Sequence, residues 1–141
     1  MTSWRIVLRQ CRDARRRAAR ARRTETAVRA LIDASGSANA ARIAALLSDS
    51  ATLTVDAGTH AATPSIPPVR GPVATAQELL ALFETFPDRM LIVREVNGTA
   101  GIVVQSHDRV VGIVSIAMRG SRITQIWAVT NPDKLAHWNR S

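Results

Sequence analysis

Two long runs of β-branched residues, joined by a Gly-Ser turn, dominate the last third of this chain. Arg109-Val-Val-Gly-Ile-Val-Ser-Ile-Ala-Met118 leads through Arg119-Gly-Ser-Arg122 into Ile123-Thr-Gln-Ile-Trp-Ala-Val129. Val and Ile suit a pleated, half-buried surface, so the pattern predicts a long antiparallel hairpin. Gly120 supplies the positive φ that such a turn needs. Neither arm alternates cleanly between apolar and polar residues, which predicts that both faces of the hairpin are covered. Pro132 stops the second strand. The rest of the chain is expected to pack around this pair.

With 141 residues, 46% of them apolar, the chain has room for one domain with a real core and an appendage. The charge shows where the appendage is. Residues 1–23 hold nine arginines against the single Asp13, while residues 24–141 hold ten basic and ten acidic groups. The body is therefore neutral and the whole net charge of +8 belongs to the N-terminal segment. Cys11 is the only cysteine, which excludes an intrachain disulfide and cysteine-based zinc sites. No apolar run is long enough to cross a bilayer, and Trp4 to Leu8 is too short and too charged for a signal-peptide core.

Residues 2–23 read as a helix. Trp4, Leu8, Cys11, Ala14 and Ala18 recur at three- and four-residue steps on one face. Arg9, Arg12, Arg16, Arg20 and Arg23 fall largely on the other, and they are the candidate nucleic-acid-binding residues. Clustered arginines displace counterions from phosphate. An acidic protein or a membrane surface would satisfy the same charge, and a solvated helix that merely tolerates its arginines is the plain alternative.

A second helix is expected over residues 24–34, capped by Thr24 or Thr26 and broken at Ser35-Gly36-Ser37. A third runs from Asn39 to Leu47 and ends at Ser48-Asp49-Ser50. Ala51 to Asp56 is a strand. Pro64, Pro67 and Pro68 mark a loop, and a helix follows from Val73 to Phe86. Met90–Val96 and Ala100–Gln105 are strands joined by Asn97-Gly98, a type I′ turn signal. The order α-α-β-loop-α-β-β-β-β predicts an α+β domain, with helices laid over one face of a curved, largely antiparallel sheet.

Several strings resemble one family. Trp127-Ala-Val-Thr-Asn-Pro-Asp-Lys-Leu135 and Val96-Asn-Gly-Thr-Ala-Gly-Ile-Val-Val104 are similar to the final strand and an inner hairpin of the SnoaL-like (nuclear transport factor 2-like) domain. That domain follows the DNA-binding regions in one group of extracytoplasmic-function (ECF) sigma factors. Leu8-Arg9-Gln10 with Ala14-Arg15-Arg16-Arg17 resembles the tail of the last helix of their DNA-binding region. Asp56-Ala-Gly-Thr-His60 stands where that family carries Asp-Gly-Gly-Gly-Lys; Asp56 and Gly58 match, and His60 replaces the lysine. The resemblance covers about residues 25–137.

The resemblance implies a cone-shaped SnoaL-like fold with about three helices over the sheet, plus the basic N-terminal helix. It divides the chain into an Arg-rich extension, 1–23, and a SnoaL-like domain, 24–141. It implies a regulatory motif made of Asp56, Gly58, His60, Asn131, Pro132, Asp133, Lys134 and Leu135. The partners would be RNA polymerase or sigma regions, with DNA reached through the N-terminal helix and a homodimer formed through the open sheet face. No membrane contact and no cofactor are implied, and the location would be cytoplasmic. The sigma regions upstream of this domain are expected to be missing from the chain.

Other holders of this fold do chemistry in the cone, and the alternative reading is a small-molecule binder or enzyme of the polyketide cyclase or epoxide hydrolase kind. Such chemistry needs a sequestered acid or base. The chain has no Tyr for an oxyanion hole of the ketosteroid isomerase type. Arg94 and Glu95 are adjacent on one strand and so point to opposite faces. No metal-ligand spacing is present, and no catalytic residue is assigned. Arg94, Ser115, Gln125 and Trp127 are the candidate pocket residues, with Trp127 expected to pack in the core or line the pocket.

Overall fold

The computed structural model describes residues 3–58 and 67–140. A single helix, α1, runs from Ser3–Gly36 and is 34 residues long. The short α2, Ala40–Ala44, follows, then β1, Leu47–Asp56. Past a two-residue β2, Val69–Arg70, comes α3, Pro72–Glu84. The strands β3 (Met90–Val96), β4 (Thr99–Ser106), β5 (Arg109–Arg119) and β6 (Arg122–Val129) complete the sheet. A turn of helix, α4 (Pro132–Leu135), and a 3-10 turn (Ala136–Asn139) close the described chain.

The expected break at Thr24 is absent. Thr24 is buried and does not cap a new helix; its hydroxyl donates to the Arg20 carbonyl one turn back, 3.0 Å away. Back-bonding of this kind lets a threonine sit inside a helix without freeing a backbone group. With no Gly or Pro between Trp4 and Ser35, nothing in the segment stops propagation. The helix is about 51 Å long at 1.5 Å per residue, and its two halves meet different surroundings. From Ala27 onward Ala27, Val28, Leu31 and Ala34 are buried against the sheet, whereas before Thr24 every described side chain except Ala19 is exposed.

The six strands lie in the order β2-β1-β6-β5-β4-β3. All neighbours are antiparallel except β1 and β6, which run parallel. Parallel pairing is possible because helix, loop and four strands separate the two, room enough for a crossover. Asn97 and Gly98 have φ of 52° and 84°, the left-handed pair that a type I′ turn requires. His107 and Asp108 adopt the same pair of signs between β4 and β5. Gly120 turns the long hairpin with φ 61°.

β1 begins earlier than expected. Its register against β6 jumps between Leu47↔Ile123 and Thr52↔Gln125, and Ser48-Asp49-Ser50 forms the surplus. These polar residues sit inside the strand as an irregularity and do not end a helix. That helix is short: Asn39 caps it by accepting from the Ala41 and Arg42 amides. The Arg122 guanidinium closes its other end by donating to the Ala45 carbonyl at 3.1 Å.

Helices α1, α2 and α3 cover one face of the sheet. Leu53, Ile102, Val114, Ile126 and Ala128 point up into this layer, where Val28, Leu31, Ile43, Leu79 and Phe83 meet them. A smaller cluster lies on the opposite face, where Val96, Val103, Val110 and Ile113 are roofed by Leu135 of α4 and Trp138. β5 is thus covered on both sides, as expected. β6 is not: Gln125 and Trp127 stand on the outer face beyond α4, and Trp127 is 40% exposed. The architecture is α+β, a curved, mostly antiparallel sheet under a layer of helices.

Candidate functional site

The end of β1 and the start of α4 form a clasp built from two segments far apart in the chain. Leaving β1, the Asp56 carbonyl accepts from the Thr130 and Asn131 amides at 2.8 and 3.1 Å. One carboxylate oxygen accepts from the Gly58 amide at 3.1 Å, and the other holds the Lys134 ammonium. The hydrogen-bonded Lys134 ammonium, aided by the Gly58 amide and the Asn131 side chain, keeps the Asp56 carboxyl below its ordinary value; partial burial opposes this without prevailing.

Sequence-local rules explain the other half. Asn131 is the N-cap of α4, its side chain accepting from the Asp133 amide at 3.1 Å, and Pro132 occupies the first turn where no amide donor is needed. Asp133 lies in that first turn, near the positive helix end. Leu135 is 3% exposed and anchors the turn in the outer cluster. Gly58, at φ 75°, leaves room for this packing: a Cβ there would lie 2.6 Å from Asn131 Cγ. The structure therefore brings together Asp56, Gly58, Asn131, Pro132, Asp133, Lys134 and Leu135. His60 lies outside the described residues. Pro132, Asp133 and Lys134 face solvent on a backbone pinned from beneath.

One member of this region carried no signal that sequence reasoning used. Asn139 reaches β5 and behaves as a strand neighbour, accepting from the Val110 amide at 2.8 Å and donating to its carbonyl at 3.0 Å. The His137 and Trp138 rings lie tilted against each other, centroids 5.4 Å apart and planes 47° from parallel.

The arginines of the N-terminal helix stand clear of the body. Arg9, Arg12, Arg16, Arg20 and Arg23 are all exposed on the free half of α1. Among the described residues the ion pairs are Arg29–Glu25, Arg42–Asp33 and Lys134–Asp56, and none involves this arm. The arm spans about 30 Å from Ser3 to Arg23. Its apolar tip is uncovered as well, with Trp4 75% exposed and Ile6, Val7 and Leu8 about half exposed.

The four candidate pocket residues do not meet under the helices. Ser115 pairs with Trp127, which pairs with Thr54; Gln125 pairs with Ala117, and Arg94 with Gly101. Alternation puts all four on the outer face, because Ile102, Val114 and Ala128, one position away, point inward. Trp127 is outside the core, 40% exposed on that face. Arg94 lies on the edge strand, and its guanidinium curls back to the Val93 carbonyl at 2.9 Å.

The helix-covered side is filled by side chains such as Phe83, Leu31, Ile43 and Leu79, each at most 1% exposed. A cleft of about 130 Å³ opens between β1 and α3, lined by Leu53, Val55, Leu82 and Glu78 among others. The buried polar side chains among the described residues are Thr24, Ser35, Thr75 and Ser106, none of them a carboxylate. No group of three His, Cys, Asp or Glu side chains there is placed to hold a metal ion. No helix among the described residues is long and apolar enough to cross a membrane.

No family model matches this chain, and no curated protein matches it in sequence. Solved structures do match in shape. The ECF sigma factor SigJ of Mycobacterium tuberculosis is similar over 92% of this chain and 49% of its own, at 22% identity and a TM-score of 0.61. The chain thus spans about half the length of that sigma factor. An NTF2-like protein of unknown function from Mesorhizobium loti matches over 79% of this chain and 93% of its own, at 17% identity and a TM-score of 0.57. A Xanthomonas campestris protein, proposed to be a polyketide cyclase, matches over 83% and 97%, at 17% identity and 0.55. At such identities the likeness speaks for the fold: the chain has the NTF2-like, or SnoaL-like, cone arrangement, with a long N-terminal helix added.

Proposed function

We propose that this chain is the accessory, regulatory domain of an ECF-type sigma factor, modulating transcription through protein contacts at the clasp and phosphate contacts along the arm. The observation that carries the reading is the clasp. The residues that resemble the sigma-factor family at 56–58 and at 131–135 come from opposite ends of the domain and occupy one exposed junction, tied by Asp56 and Lys134. Likeness to SigJ over 92% of the chain supports the same assignment. The arm, residues 1–23, acts as an extension, and residues 24–141 as the SnoaL-like domain. RNA polymerase or sigma regions are the protein partners, and DNA meets Arg9, Arg12, Arg16, Arg20 and Arg23. On this reading the protein works in the cytoplasm. Pairing of two copies over the outer sheet face would cover Trp127.

The test is a pull-down of RNA polymerase and isolated sigma regions with the full chain at physiological salt. Retention that is lost in Lys134→Glu supports the proposal. No retention, together with no DNA binding, overturns it. The alternative, a small-molecule binder or enzyme, draws on the likeness to the Xanthomonas protein. The packed space between α3 and the sheet speaks against it: the cleft there, between β1 and α3, holds only about 130 Å³, and no buried carboxylate is found among the described residues.

A further inference from the structure

The sheet ends at β3, and the register of its hairpin fixes which backbone groups are left over. Val96 and Thr99 flank the two-residue Asn97-Gly98 turn and pair with each other. Residues flanking such a turn exchange both backbone hydrogen bonds, and so does every second residue along the strand. Arg94 and Ile92 therefore bond to β4, whereas Leu91, Val93 and Glu95 turn their N–H and C=O groups away from the sheet. No strand lies beyond them among the described residues. β3 is seven residues long, free of Gly and Pro, and paired with β4 without a bulge. Met90 is 60% exposed, and Leu91, Ile92 and Val93 are half-buried. An edge of this length and apolarity is a template for another strand.

One side chain closes it. The Arg94 guanidinium donates to the Val93 carbonyl at 2.9 Å, in the middle of the outward-facing row. A trough of about 520 Å³ separates this edge from α1, with Val93, Glu95 and Ala100 on one wall and Ala21, Arg22 and Arg29 on the other. It leaves room on the helix side for the side chains of an added strand.

We propose that β3 is a strand-addition site for a second copy of this chain, held shut by Arg94. Two β3 edges meeting antiparallel about Val93 set Val93 against Val93, and Leu91 of each copy against Glu95 of the other. Every outward group then finds a partner once the Val93 carbonyl is released. Charge favours the same pairing. Arg89 lies beside Leu91 and Ile32 of α1, so Glu95 of the other copy comes diagonal to it. Glu95 makes no ion pair among the described residues. Arg94 opposes the pairing in two ways. An incoming strand must displace a charged donor at its central bond. The two Arg94 side chains also come diagonal to each other on the outer face, where like charges repel. The contact differs from pairing over the outer sheet face, which would cover Trp127.

The test is sedimentation velocity of the full chain across a concentration series. Arg94→Ala should self-associate about tenfold more tightly than the parent, the effect of removing one charged hydrogen-bond competitor. Adding Glu95→Pro removes an outward N–H and no bond to β4, so that double variant should return to the parental state. Hydrogen exchange reads the same edge independently. The Leu91, Val93 and Glu95 amides should exchange fast in the parent and become protected with concentration in Arg94→Ala. If Arg94→Ala sediments like the parent, or if its association survives Glu95→Pro, the proposal falls. Association that shields Trp127 from iodide while those three amides still exchange freely puts the contact on the outer sheet face and overturns it as well. A parent that protects these amides as fully as Arg94→Ala does overturns the role given to Arg94.

Discussion

Lys134 and Asp56, 78 positions apart in the chain, form an ion pair where β1 meets α4. The pair sits at the rim, with 62% of the Lys134 side chain and 34% of the Asp56 side chain exposed. Solvent screens such a pair, so its net worth is on the order of 0.5 kcal/mol. Lys134→Met should therefore lower stability only modestly near neutral pH. Because the folded Asp56 carboxyl titrates below its ordinary value of 3.8, its contribution is complete above that value. The contribution disappears as pH falls through the depressed one. The difference in melting temperature between parent and Lys134→Met should shrink toward zero in acid. A difference that grows in acid would contradict the pairing.

Gly58→Ala strikes the same junction from another side. The new methyl would meet Asn131 at under 3 Å on a backbone at φ 75°. A loss of about 1–3 kcal/mol in urea unfolding is expected. Asn131→Ala alone should cost about 1 kcal/mol through the lost cap. The double variant should cost less than the two together, since removing the Asn131 side chain makes room for the methyl.

Trp127→Ala distinguishes an outer-face tryptophan from a core one. Standing at the rim of β6, Trp127 should be quenched readily by iodide, and its removal should cost under about 1 kcal/mol. A core aromatic truncated to alanine costs about 3–5 kcal/mol. Phe83→Ala, at 1% exposure between α3 and the sheet, should show that larger loss. Denaturant curves of the two variants, measured side by side, check both expectations.

The free half of α1 should be separable from the body in energy although it is continuous with it in backbone. Ala14→Pro should reduce far-UV helix signal and leave the melting temperature of the body nearly unchanged. Proline costs a helix interior about 3 kcal/mol locally, and every described side chain before Ala19 is exposed, so nothing near Ala14 transmits that cost to the body. A large drop in melting temperature would show that the arm supports the domain.

Much of this architecture was legible in the chain. The β5–β6 hairpin, the Asn97-Gly98 turn and the helix expected from Val73 to Phe86 all follow from local chemistry, the turns because glycine and asparagine adopt a positive φ readily and the helix because its apolar residues recur at helical spacing. Two features were not legible. Thr24 reads as a cap from composition, but only the structure shows its hydroxyl turned back to Arg20, and helix continuity depends on that choice. Ser48-Asp49-Ser50 reads as a helix stop, whereas its place as a surplus inside β1 is set by β6, some seventy residues later. Trp127 was misjudged for a related reason. Residue type favours burial, but the face it occupies depends on register, and a bulge between Ala117 and Met118 shifts that register locally. The clasp lay between these extremes: its residues were named by resemblance, and only their meeting needed the fold.

The parallel pairing of β1 with β6 orders the birth of the molecule on the ribosome. β1 emerges early and finds only the two residues of β2 beside it. Its long neighbour, Arg122–Val129, emerges only after the other five strands of the sheet. Meanwhile β3, β4 and β5 can zip together as each leaves the tunnel, since β4 pairs with β3 and β5 with β4. The domain thus matures from its far edge inward, and β1 waits with Leu53 and Val55 unshielded until the final strand slots between. Truncating the nascent chain before Arg122 would leave two unjoined halves and an open seam for chaperones to guard.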